Sequence, residues 1–373
     1  MQKNKIGIFL PYAENYDSHY GGAIARWCHE TLSRNLDKYH FSVYSASGDK
    51  GYPEGYKTNI YGKYISFIKN KERKYAKNLL WAKIFYQIKR FTCRDSFLLF
   101  SLFNEIKKND IVIIHNRPKL VSFLRRLGFD KKIFLHLHNS HLANLAINEI
   151  NDTIYHSDKI FYCSDFLKTE VEDKLNKNNN KNIVIYNGCK NISDSNFFEP
   201  REKVILFSGR FIDDKGILEL IDGFNLLKGS YELHLAGGVS SGIDNATSPY
   251  YEKIKNKIKG NDKIKNIGYL DHDLLLKKMR ESEIFIMPSK WKEPFGMVAL
   301  EAYLSGCKVI SSKNGGAKEF LLLDAVYCDC EPKSIFKAIV KSIDIKNYVP
   351  SNDMGYFSWD NIAEKFSNEL DDD

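Results

Sequence analysis

No apolar run in the sequence approaches the roughly 18 residues that a membrane-spanning helix needs. The opening Met1-Gln2-Lys3-Asn4-Lys5 is basic, but the apolar stretch behind it, Ile6-Gly7-Ile8-Phe9-Leu10, is too short for a signal peptide. It reads as a first buried strand, and the expected location is the cytoplasm. Cysteine is sparse and odd in number: seven, with no paired zinc-ligand spacing. That speaks against a disulfide scaffold and for buried free thiols in a reducing compartment. Cys328-Asp329-Cys330 resembles a metal clip, but the edge of a strand explains it better. No recognised nucleic-acid motif accompanies the positive charge. A disordered chain is excluded as well, because 43% of the residues are hydrophobic and 27% charged.

What is present is enough chain for two cores, since 373 residues exceed one ordinary domain. The net charge of +8 is unevenly spread. Residues 1–190 hold 31 Lys and Arg against 18 Asp and Glu, whereas residues 191–373 hold 24 against 29. A basic first half suggests an anionic partner. Its densest part is residues 63–94, with ten basic side chains against Glu72 alone. Apolar residues at 80, 81, 84, 85, 88 and 91 follow a helical stripe there. Two readings stay open: a basic helix lying on an anionic membrane surface, or a packed helix with a solvated basic face.

The most informative stretch is Trp291-Lys292-Glu293-Pro294-Phe295-Gly296-Met297-Val298-Ala299-Leu300-Glu301. It follows the apolar Ile284-Phe285-Ile286-Met287 and Pro288-Ser289. This pattern predicts a buried strand, a loop, and a helix entered near Pro294 to Met297. Such a loop sits at the C-terminal edge of a parallel sheet, where open α/β folds bind ligands. Gly296 lets a ligand approach the backbone, and free amides at the helix start can hold an anion. Glu293 on the loop and Glu301 about a turn inside the helix can then face one crevice.

Other candidates follow the same logic. The strand at residues 204–207 leads into Ser208-Gly209-Arg210-Phe211-Ile212-Asp213-Asp214-Lys215-Gly216. Gly209 clears space, while the planar fork of Arg210 and the point charge of Lys215 suit a diphosphate. Gly21 and Gly22 precede an amphipathic helix from Ala23 to about Leu36, a place where phosphate could meet backbone amides. Residues 110–116 and 132–139 read as buried strands with polar C-terminal ends. His136, His138 and His141 invite a zinc reading, but the further ligands that an anchored ion needs have no evident place. Asp271-His272-Asp273 mimics a metal-binding pair of acids, yet capping of a helix over residues 274–281 explains it better. No metal is therefore expected.

The stretch from Ile284 to Glu301 resembles the donor-site signature of the retaining glycosyltransferases of family 4, which have the GT-B fold. Asn187-Gly188 resembles that family's interdomain boundary, and Asn314-Gly315-Gly316-Ala317-Lys318-Glu319 resembles a donor-site segment. The resemblance implies an α/β chain of two Rossmann-like domains facing across a cleft. Residues 1–190 would form the acceptor side, joined by a returning C-terminal helix at about residues 355–373. Residues 191–354 would bind a nucleotide-sugar donor. Glu293 would lie at the donor sugar, Glu301 on the ribose, and Arg210 and Lys215 on the diphosphate. Phe295, Gly296, Met297, Val298, Gly209, Gly21, Gly22 and Glu319 would line the donor site, with Tyr269 beside the base.

His138, before Asn139, matches a histidine that borders the acceptor pocket and could orient or deprotonate a hydroxyl. A satisfied structural histidine is its rival. The expected activity is transfer of a hexose or N-acetylhexosamine from a UDP-linked sugar to a bacterial surface glycan such as lipopolysaccharide. It would need no cofactor or nucleic acid, and would take place at the inner face of the cytoplasmic membrane. A UDP-sugar epimerase is the alternative of the same fold, and a non-catalytic sugar-nucleotide-binding subunit the alternative of another class.

Overall fold

Two all-parallel sheets carry the chain. The computed structural model describes residues 3–11, 14–16, 22–45, 57–60, 103–190, 201–239, 248–321, 325–346, 348 and 354–371. The basic stretch at 63–94, Gly21 and residues 191–200 lie outside these. The chain divides into one unit of Met1–Tyr186 with Ile362–Asp373 and a second of Asn187–Asn361.

In the first unit the strands are β1 (Lys5–Phe9), β2 (His40–Ser45), β3 (Lys57–Ile60), β4 (Ile111–His115), β5 (Lys132–Leu137), β6 (Lys159–Tyr162) and β7 (Asn182–Val184). They lie in the order β3-β2-β1-β4-β5-β6-β7. Every pairing is parallel. The described helices are α1 (Ala23–Ser33), α2 (Pro118–Arg126), α3 (Ile147–His156) and α4 (Asp165–Leu175). All five residues of β4, Ile-Val-Ile-Ile-His, are buried. A strand covered on both faces gives such a continuous apolar run rather than alternation.

The second unit repeats the plan with β8 (Glu202–Ser208), β9 (Glu232–Ala236), β10 (Ile264–Gly268), β11 (Ser282–Met287), β12 (Lys308–Ser312) and β13 (Val326–Cys328). Their order is β10-β9-β8-β11-β12-β13, again all parallel. The described helices are α5 (Ile217–Asn225), α6 (Pro249–Ile258), α7 (His272–Glu281), α8 (Met297–Leu304), α9 (Lys318–Leu321), α10 (Pro332–Asp344) and α11 (Trp359–Asp371), the last continuing into the first unit. Ile205, Phe207, Leu220, Phe224, Ile284 and Ile335 belong to its core. In each unit the strand order reverses beside the first strand, between β1 and β4 and between β8 and β11. Doubly wound folds bind ligands at the C-terminal ends of the strands flanking such a reversal.

The end of α11 is fastened to the first unit. Phe366 is fully buried, with ring centroids 5.1 Å from Trp27 and 6.2 Å from Phe161. Asn35 Nδ2 donates to Ala363 O at 3.1 Å, and Lys159 Nζ pairs with Glu369 Oε2 at 2.9 Å. Phe366→Ala is expected to destabilise the first unit by about 3–5 kcal/mol, read as a lower denaturant midpoint. An unchanged midpoint would show that α11 contributes nothing to this core.

The described cysteines are all free thiols. Cys328 ends β13, as a strand-edge cysteine should. No described helix is long and apolar enough to cross a membrane.

Candidate functional site

β8 and β11 are hydrogen-bonded neighbours, so the loops that follow them meet. After β8 the chain makes one 3-10 turn, Asp213–Lys215, and enters α5 through Gly216. After β11 it runs through residues 288–296 into α8. Lys290 fastens one loop to the other. Its amide donates to Asp214 O at 2.9 Å, and its Nζ contacts Asp213 Oδ1 at 2.8 Å and Glu219 Oε1 at 2.9 Å. Burial alone would lower its pKa, but hydrogen bonds to the two carboxylates outweigh this and hold the ammonium above its ordinary range.

Within that frame Lys215 Nζ makes a short ion pair with Glu293 Oε1. Ser289 Oγ donates to the same oxygen at 2.7 Å. Glu293 is only 6% exposed, and a charge so deeply placed needs such partners. Lys215 Nζ also lies 5.3 Å from the centre of the Trp291 ring. The Glu293 backbone is bridged to Gly315, and Gly316 N donates to Glu293 O at 2.9 Å.

Gly296, at φ +91°, is the N-cap of α8, and no side chain caps that helix start. The amides of Met297 and Val298 therefore lack a side-chain partner among the described residues. One turn on, Glu301 is 4% exposed, and its Oε1 lies 3.0 Å from His272 Nε2. His272 opens α7, while Asp271 Oδ1 accepts from Leu274 N at 2.9 Å, so Asp271 does cap the helix.

The remaining candidates are placed less closely. Arg210 is exposed after β8 and has no side-chain partner among the described residues. Gly209 N donates to Ala236 O at 3.1 Å. The glycine this loop depends on is Gly237 (φ +138°), where a Cβ would fall 1.9 Å from Gly209 O. Tyr269 follows β10 and is 47% exposed. Glu319 lies in α9 and is half-buried. Phe295 differs from expectation in its side chain: the ring is 2% exposed and packs 5.1 Å from Phe320 and 6.2 Å from Phe357. It can offer a ligand its backbone, not its ring.

In the first unit the amide of Gly22 is not free for a phosphate. Glu14 Oε1 accepts from Gly22 N at 2.8 Å and from Ala25 N at 3.3 Å, so the chain supplies its own anion to the start of α1. Burial raises the Glu14 carboxyl above its ordinary range, although both amide bonds pull it down. His138 follows β5, and its amide donates to Asn116 Oδ1 at 2.7 Å. Its Nε2 lies 3.0 Å from His115 Nδ1. His141 turns away from that cluster, its Nδ1 2.8 Å from Asn116 O.

Three residues of these sites escaped sequence reasoning: Ser289, His272 and His115. The signal for His115 was present, because β4 ends in His115, β5 carries His136 one residue before its end, and parallel neighbours place equivalent positions side by side. No spacing in the sequence marks the His272–Glu301 pair.

Residues 190–344 match the family model described as Glycosyl transferases group 1. The lipopolysaccharide 1,2-N-acetylglucosaminetransferase of Salmonella typhimurium is 28% identical over 352 residues, 86% of each chain. Among solved structures, HepE of Anabaena in complex with UDP and glucose aligns with a TM-score of 0.69 at 16% identity over 98% of each chain. A UDP-forming α,α-trehalose-phosphate synthase of Burkholderia xenovorans aligns at 0.71 and 13% identity, over 99% of this chain and all of that one. These matches support a glycosyltransferase of GT-B fold, in which residues 190–344 are similar to the group 1 domain.

Proposed function

We propose that the chain transfers a hexose or N-acetylhexosamine, with retention of configuration as in family 4, from a UDP-linked donor to a bacterial surface glycan such as lipopolysaccharide. The observation that carries this reading is the buried Lys215–Glu293–Ser289 cluster beside the uncapped amides of α8. The Salmonella relative's lipopolysaccharide acceptor and the UDP held by HepE support the choice of acceptor and nucleotide.

In this reading the sugar C1–O bond breaks and its electron pair leaves with UDP. Lys215, Arg210 and the amides of Met297 and Val298 offset the charge that gathers on the leaving diphosphate. Glu293 holds the sugar and steadies the positive charge at C1. Glu301, oriented by His272, accepts from the ribose hydroxyls. The acceptor oxygen bonds to C1, and its proton passes to the leaving phosphate oxygen. His138 contacts the acceptor hydroxyl. A membrane-borne acceptor would meet the ten basic side chains of residues 63–94 at the cytoplasmic face.

A panel of nucleotide sugars tests the donor by thermal unfolding. At a hundredfold excess over its Kd, a ligand of the native state adds about 2.7 kcal/mol. UDP-hexoses or UDP-N-acetylhexosamines are expected to raise Tm, and Lys215→Ala to remove the rise. Stabilisation by ADP- or GDP-sugars alone would overturn the choice of nucleotide.

A further inference from the structure

Three imidazoles meet at the C-terminal edge of the first sheet. His115 ends β4, His136 is its in-register neighbour on β5, and His138 lies two residues further along. Residues two apart on a strand share a face, so all three rings gather on one side. Ring centroids are 5.0 Å apart for His115 and His136, 5.2 Å for His115 and His138, and 4.1 Å for His136 and His138. One nitrogen from each ring can be chosen so that all lie within 4.8 Å of one another.

His136 is the unexplained member. It is fully buried, and neither of its ring nitrogens has a hydrogen-bond partner among the described residues. Its neighbours Trp27, with ring centroids 4.4 Å apart, and Phe161, at 5.9 Å, offer only aromatic surfaces. An imidazole left with both a donor and a lone pair unused in a packed interior is costly, and few native proteins keep one without a purpose.

Its surroundings are those of a ligand set. His115 Nε2 lies 3.5 Å from Cys28 Sγ. With Nε2 donating to that sulfur, the Nδ1 lone pair faces His138, and the sulfur is the kind of outer contact that orients a ligand ring. Asn116 holds the backbone of His138 in place. Tetrahedral zinc, with Zn–N of about 2.0–2.1 Å, separates its nitrogens by about 3.3 Å. His115 and His138 stand at 3.0 Å, and the third nitrogen needs to close by about 1.5 Å at most.

We infer that His115, His136 and His138 are the three protein ligands of one divalent transition-metal ion of the imidazole-preferring class, with water completing its coordination. Zinc is the probe. The ion would tie together the ends of β4 and β5. His138 would keep only its second ring nitrogen for an acceptor, as a donor and not as a base. The inference is independent of the donor reading, since zinc and UDP binding are measured separately.

The test uses the full chain without an affinity tag, stripped by a chelator and dialysed against buffered micromolar Zn2+. Bound metal is counted by mass spectrometry, and the Co2+ form is examined for the visible bands of a tetrahedral site. One zinc per chain is expected in the wild type and in His141→Gln. His136→Phe and His138→Gln should each bind at least about 100-fold more weakly, exceeding the usual effect of outer-contact changes. His136→Phe suits the aromatic slot. If it fails to fold by circular dichroism, the half-exposed His138→Gln decides. No zinc in the folded wild type, or stoichiometric zinc retained by His138→Gln, overturns the assignment.

Discussion

Glu293→Gln is expected to lower the transfer rate by about 10²–10³-fold, the usual cost of removing a preorganised charge-stabilising group. The amide keeps the shape of the side chain and can still accept from Ser289 Oγ, now 2.7 Å away. What it loses is the charge that faces Lys215 in a site where both side chains are largely buried. Removing one partner of a buried ion pair costs about 3–5 kcal/mol, because the other charge stays buried and unpaired. Glu293→Gln alone and Lys215→Met alone should each lower the denaturant midpoint. The double variant should recover most of that loss, since it leaves no orphan charge. Activity should behave differently: the double variant stays at least as impaired as either single one. That split separates a structural ion pair from catalytic parts that happen to pair in the free protein. A Glu293→Gln enzyme that releases UDP within threefold of the wild-type rate would remove Glu293 from the mechanism.

The strands at the centre of each sheet were legible because both faces are covered. β4 carries the apolar run Ile111-Val112-Ile113-Ile114 and β11 the run Ile284-Phe285-Ile286-Met287. Helix ends were less so. The apolar stripe predicted α1 to about residue 36, but it stops at Ser33. Asn35 there bonds back to Thr31 O and also reaches Ala363, 328 residues away, a contact no local pattern records. The site divides in the same way. Glu293 and Lys215 are 78 residues apart, yet each lies in the loop after a predicted strand, so their meeting follows from the order of the sheet. Glu14 on the α1 amides and His272 on Glu301 depend on loop paths that the sequence does not encode as spacing. The inward turn of Phe295 was equally hidden, because an aromatic residue in a loop motif packs or projects according to neighbours far along the chain. Phe320 and Phe357 decide it.

Gly315→Ala is expected to damage stability and activity together, although position 315 carries no side chain to lose. Gly315 has φ +126°, a region that L side chains rarely adopt. A Cβ there would stand 2.5 Å from Glu293 O and 2.9 Å from Glu293 N. Those are backbone atoms, which cannot swing aside as the end of a flexible side chain would. The added methyl must push residues 314–316 and the Glu293 segment apart, breaking the bridge between them and the bond from Gly316 N to Glu293 O. The carboxylate then loses its register with Ser289 and Lys215. Backbone strain of this kind costs about 1–3 kcal/mol, and the lost hydrogen bonds add about 1 kcal/mol more. A displacement of about 1 Å at a reacting group lowers a rate by about 10²-fold. Gly229→Ala supplies the control: its φ is +137°, but a Cβ there meets nothing within 4 Å. That variant should show the strain without the displacement, losing some stability while keeping its transfer rate. If Gly315→Ala also kept its rate, the glycine would serve only to relieve backbone strain, and the position of Glu293 would not depend on the loop after β12.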